Sequence, residues 1–253
     1  MSHKSTAANV FFVMGVLLAA VGLVLYLTGN AVLFQFSVVV VGPVVAMGTG
    51  LFGLRRFARG GIIGHDQFST MNGLFALGLT VLSLSELLAA VIALVPGQQP
   101  SFFTVTLLQF PGVLLWVLGA AGYYHACLDT IGCSSGRKTV ALVSAMTAVL
   151  LAVLSTFGVE HLGGRNMFEL LAYVPTAACL IITILLLLKL GWMFRGGRIR
   201  VPLFILAFGA VLFLIQIVLW GTFGIIPIDA VVRALAVEAY VVIGIAHERA
   251  SGI

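Results

Sequence analysis

Glu86, Gln216, Arg233 and Glu238 are the residues whose type and setting point to chemistry, because each interrupts an apolar run long enough to cross a bilayer. Ionisable groups inside such runs are costly, and by default they mark functional positions. A carboxylate there must take up a proton or meet a cation. Glu86 stands deep in its run, within Ser83-Leu84-Ser85-Glu86-Leu87-Leu88, and its expected partner is Arg233. Glu238 follows Arg233 by five positions, about 140° around a helix, and is expected to point elsewhere. At a rise of about 1.5 Å per residue, the four fall within roughly 10 Å of one another in depth. Such a cluster suits the binding of an ion, a proton or an anionic small solute. The competing reading is an ion pair and its hydrogen bonds that only fix helix register.

Other chemistries are poorly represented. Asp229 opens the last apolar run and reads as a helix N-cap, while Glu160 and Glu169 fall at an interface where solvation accounts for them. His125 and His247 end two runs and His65 lies in a loop, a distribution that offers no converging haem or metal ligands. Tyr123-Tyr124-His125 reads as an interfacial aromatic belt. Lys189 is too close to the end of its run to carry a retinal. Cys127, Cys133 and Cys179 form an odd set without CxxC spacing, so neither a disulfide framework nor a zinc site is expected. There is no HExxH, GxSxG or P-loop pattern. Gly132-Cys133-Ser134-Ser135-Gly136 reads as a connecting turn before Arg137-Lys138. No cofactor and no metal are expected.

The elements that must position the cluster follow from composition. The chain has 253 residues, 61% of them hydrophobic and 8% charged, with a mean hydropathy of +1.20. Water-soluble domains carry about 25% charged residues, and this chain has too little polar surface to coat a globule. Lipid permits helices or closed barrels, and long unbroken apolar runs exclude the alternating strands of a barrel. The fold class is therefore all-α, a polytopic membrane bundle. With about 20 residues per crossing, eight spans are predicted, at 9–28, 31–54, 71–95, 105–127, 139–157, 169–193, 201–221 and 229–247, in a single transmembrane domain covering 1–253. The first run has no convincing cleavage site and reads as a retained span.

The pI near 9.5 reflects topology rather than nucleic-acid binding, since no basic stripe interleaves with aromatics. Of the 13 Lys and Arg, all but Arg165 and Arg233 fall on one side when eight spans are drawn. The positive-inside rule then makes both termini cytoplasmic, in a plasma or cytoplasmic membrane.

Two stretches repeat. Phe57-Ala58-Arg59-Gly60-Gly61 after the second span echoes Phe194-Arg195-Gly196-Gly197 after the sixth, and Ala76-Leu77-Gly78 in the third echoes Ala207-Phe208-Gly209 in the seventh. Duplicated four-span halves would keep the same orientation, related by an axis along the membrane normal. That places Glu86 and Gln216 at similar depth. Glycines at 15, 22, 48, 50, 53, 119 and 122 suit close helix packing, and Pro43, Pro111 and Pro175 predict local bends.

Gly53-Leu54-Arg55-Arg56, Phe68-Ser69-Thr70 and Gly73-Leu74-Phe75 resemble the second loop of the acetate/succinate transporter family, and the first six spans have comparable spacing. That family's proline-rich signature at its first span is missing here, and the family has fewer spans, so the resemblance assigns no membership.

The expectation is a small transporter or channel using Glu86, Gln216, Arg233 and Glu238. A non-catalytic subunit of a larger membrane complex is the alternative, suited by the short loops, and a lipid-modifying intramembrane enzyme is the third reading. Expected partners are the bilayer, a small solute or ion, and other subunits in a homo- or hetero-oligomer, with no nucleic acid.

Overall fold

Backbone groups with no water to meet them close on themselves as helices. A computed structural model describes the backbone of residues 6–58, 66–93, 102–131, 136–161, 167–223 and 226–253. Side chains are described over the same residues except 6–8, 26, 31–39, 90, 93, 102–103, 131, 136–138, 153–161, 167–172, 220–223 and 226–233. These residues form eight α-helices: α1 (Thr6–Leu27), α2 (Ala31–Phe57), α3 (Gln67–Ala93), α4 (Phe102–Ile131), α5 (Gly136–His161), α6 (Met167–Met193), α7 (Arg200–Phe223) and α8 (Ile226–Ala250). Among the described residues, four helices are long and apolar enough to cross a membrane: α3, α4, α6 and α7, at Gln67–Ala89, Thr104–Thr130, Tyr173–Met193 and Arg200–Leu219.

Local sequence sets the helix ends. At the end of α1, Thr28 N–H still makes a helical bond to the Val24 carbonyl at 2.9 Å, and Gly29 takes a φ of 72°, which lets Asn30 N–H turn back to the Leu25 carbonyl at 3.1 Å. Asp66 caps α3, its carboxylate accepting from Phe68 N–H at 3.1 Å and Ser69 N–H at 3.2 Å. The three interior prolines, Pro43, Pro111 and Pro175, lie within α2, α4 and α6. The Asp229 backbone lies inside α8, which runs from Ile226, and its side chain lies outside the described residues; Pro227 occupies the first turn, where a missing N–H costs nothing.

Six helices form a ring in the order α2, α3, α4, α6, α7, α8 and back to α2. Helix α1 lies outside the ring against α8 and α2, and α5 lies outside it against α6 and α7. Glycines set the close approaches. A Cβ on Gly78 of α3 would stand 2.6 Å from the Gly112 carbonyl of α4 and 2.5 Å from Trp116 Nε1. On Gly209 of α7 it would stand 3.3 Å from the Ala239 carbonyl of α8 and 2.6 Å from Ile243 Cγ1. Each glycine thus faces a carbonyl and the side chain four residues beyond it on the next helix.

Neighbour relations also fix direction. Along α2, Gly42 meets Val237, Thr49 meets Gly244 and Gly53 meets His247, so α2 and α8 run parallel. Gly53 also meets Ala76 and Gly42 also meets Glu86, so α3 runs the opposite way. The exposed residues Arg55, Arg56, Arg195, Arg198, Arg200 and Arg249 therefore share one end of the bundle, called here the basic end. The side chains of Lys4, Arg59, Arg137, Lys138, Arg165 and Arg233 lie outside the described residues.

Candidate functional site

The middle of the ring is filled rather than open. Phe75, Trp116, Phe213 and Tyr240 are fully buried. Phe75 and Trp116 stack at 5.5 Å with planes 6° apart, Trp116 meets Phe213 edge-on at 5.7 Å, and Phe213 meets Tyr240 at 5.8 Å. Trp116 Nε1 donates to the Phe75 carbonyl at 3.0 Å, which satisfies the indole and fixes its plane. This aromatic plug links α3, α4, α7 and α8 across the ring.

Glu86 lies beyond the plug, away from the basic end. The Tyr240 hydroxyl donates to Glu86 Oε1, a bond from α8 to α3. The other carboxylate oxygen rests on α2, where a Cβ on Gly42 would stand 2.8 Å from it. Three helices therefore enclose this carboxylate, and a glycine makes the room. Near it, Ser85 Oγ donates to the Leu108 carbonyl at 2.6 Å and ties α3 to α4.

Gln216 is 3% exposed, and its Oε1 has no partner among the described residues. It sits one turn past Phe213, which packs on Tyr240. Gln109 and Thr106 on α4 are also buried, with Oε1 and Oγ1 unpartnered among the described residues. Gln109 stands seven residues before Trp116, on nearly the same face of α4 and about 10 Å farther from the basic end.

Glu238 is separated from this group. It is half-buried on the α1 side of α8, where a Cβ on Gly15 would stand 3.1 Å from its Oε2. The Arg233 side chain lies outside the described residues; its backbone is seven residues before Tyr240, on nearly the same face of α8. His125 is exposed, 3.0 Å from Asp129 one turn on, whereas His247 is fully buried. Among the described residues no group of His, Cys, Asp and Glu could hold a metal.

Sequence reasoning overlooked Tyr240, Gln109 and Gly42. A tyrosine one heptad after Arg233 on a helix carrying two other in-span charges was a legible signal for the first. The other two needed the helix neighbours to be known. Comparison with protein-family models, curated proteins and solved structures finds no match for this chain.

Proposed function

We propose that this protein is a carrier for a small polar solute or ion, crossing the membrane eight times with its basic end in the cytoplasm. Glu86 and Tyr240 are its central binding pair, Gln216 and Gln109 are the buried polar groups on the same side of the plug, and Arg233 is the cation expected to reach Glu86. The observation that carries this reading is the Tyr240–Glu86 hydrogen bond beside a fully buried aromatic plug. A polar pair in lipid is retained at a cost, and it finds a use where a ligand competes for it. The plug favours a carrier over an open channel, because a solute can pass Trp116 and Phe213 only if the helices around them move.

The ring supports two halves, α1–α4 and α5–α8, that share one orientation. Exchanging α2 for α6, α3 for α7 and α4 for α8 reproduces the ring order, and Gly78 and Gly209 make equivalent approaches. Glu86 then belongs to one half and Tyr240 to the other, so their bond latches the halves together. Rocking of two such halves about a midplane site is how parallel-repeat carriers alternate access.

The test is thermal stability of the purified protein against a panel of ions, small acids and neutral solutes, repeated with Glu86→Gln and Tyr240→Phe. A ligand at a hundred times its Kd raises stability by about 2.7 kcal/mol. A shift lost in both variants supports the site; a shift unchanged in both moves the site elsewhere.

The apolar outer faces of α1 and α5, including Phe12, Leu17, Leu142 and Val149, also suit a subunit docked in a larger complex. That reading predicts no ligand shift, a Glu86→Gln variant as stable as the parent, and aggregation of the isolated chain in detergent.

A further inference from the structure

A second set of polar groups lies on the other side of the plug, at the basic end. His247 is fully buried, and neither ring nitrogen has a hydrogen-bond partner among the described residues. Asn72 is fully buried as well; its Nδ2 donates to the Phe68 carbonyl at 2.9 Å, and its Oδ1 has no partner there. Gly53 brings the two helices that carry them together. A Cβ on Gly53 would stand 2.6 Å from Ala76 Cβ of α3 and 2.7 Å from His247 Nδ1 of α8. Asn72 precedes Ala76 by one turn on the same face of α3, about 6 Å along the axis. Phe57 covers the imidazole at 5.8 Å.

A neutral imidazole offers one N–H and one lone pair, and folded proteins rarely leave such groups unmet in their interior. Here both imidazole positions are unmet beside Gly53, and an amide oxygen is unmet one turn along α3 from the Ala76 that Gly53 also meets. The nearby charges do not account for them: Arg55, Arg56 and Arg249 are exposed, and Glu248, next to His247 on α8, has its own buried oxygen unpartnered.

We propose that Asn72 and His247 form a second binding site, on the basic side of the plug, for a small uncharged solute that both donates and accepts a hydrogen bond. The imidazole supplies a donor and an acceptor, and the Asn72 amide oxygen a second acceptor. Among the described residues no buried charge faces the pair from α2 or α3, and the groups left unmet on it are a neutral donor and neutral acceptors, which suit an uncharged solute. In the carrier reading this is the cytoplasmic stop on the route that begins at Glu86. The site itself stands on its own residues.

Diethylpyrocarbonate, a neutral reagent for imidazoles, tests the site on the unaltered protein in nanodiscs, with modified peptides counted by mass. The exposed His125 serves as reference, and acetamide serves as a neutral donor–acceptor probe. The expected result is that His247 reacts within tenfold of His125, that acetamide slows this reaction severalfold, and that Asn72→Leu abolishes the protection. A His247 that stays unmodified while His125 reacts overturns the proposal, as does modification that acetamide leaves unchanged. Glu86→Gln should leave the protection intact. Loss of the ligand shift at Glu86 with protection retained at His247 would sink the carrier site and keep this one.

Discussion

The hydroxyl of Tyr240 and the carboxylate of Glu86 meet across 154 positions of sequence, and the backbone of Gly42 closes the third side of their contact. A stable link between the first and last parts of the chain thus runs through a bond that a solute could replace.

That bond should show coupling. Tyr240→Phe leaves the partly buried carboxylate without this donor and should cost about 1–3 kcal/mol. Glu86→Gln keeps an acceptor for the tyrosine and should cost less. Unfolding of both single variants and the double variant, compared as a cycle, should give an interaction term of at least about 0.5 kcal/mol. Additive effects would mean that the pair does not act as a unit.

Glycine at the helix crossings should be irreplaceable where backbone is the neighbour. Gly78→Ala puts a methyl against the Gly112 carbonyl and the stacked Trp116, and should destabilise by about 1–3 kcal/mol. Gly209→Ala puts a methyl 2.6 Å from Ile243 Cγ1 and 3.3 Å from the Ala239 carbonyl, and a β-branched side chain on a helix has little freedom to give way, so a similar loss is expected. Gly48, with nothing within 4 Å, should tolerate alanine or gain about 0.5–1 kcal/mol. Thermal melts in one detergent would rank the three.

The start of α3 should depend on its cap. Asp66→Ala removes the acceptor for Phe68 and Ser69 N–H, together with the Ser69 hydroxyl bond at 2.6 Å. The expected loss is about 0.5–2 kcal/mol. Hydrogen exchange at residues 67–70 should rise in this variant while exchange in α7 stays unchanged.

His247 should be held at a cost to stability. His247→Leu removes two unmet polar atoms from a buried position, so without solute it should melt at the same temperature as the parent or higher, by the equivalent of about 1 kcal/mol. Functional residues commonly trade stability in this way. A large destabilisation would mean that the imidazole is a packing element.

Composition and the length of the apolar runs determined the helical class, because long segments with so few polar side chains leave the backbone to satisfy its own hydrogen bonds. They also placed eight helices within a few residues of where they lie, and the spacing of basic residues foretold the shared end of Arg55, Arg195 and Arg249. That Gly78 and Gly209 both sit where a neighbouring helix comes close was decided by the packing, although only a residue without Cβ lets the backbones close there. Which side chains meet was decided by tertiary structure alone. A run that is apolar on nearly every face carries little periodic signal of which face turns inward, so the turn of Glu238 toward Gly15 and of Glu86 toward Gly42 is not written in either helix. The ring order set those neighbours, closing the chain so that α8 lies beside α2 and α3. That closure brought Tyr240 to Glu86 and His247 to Gly53.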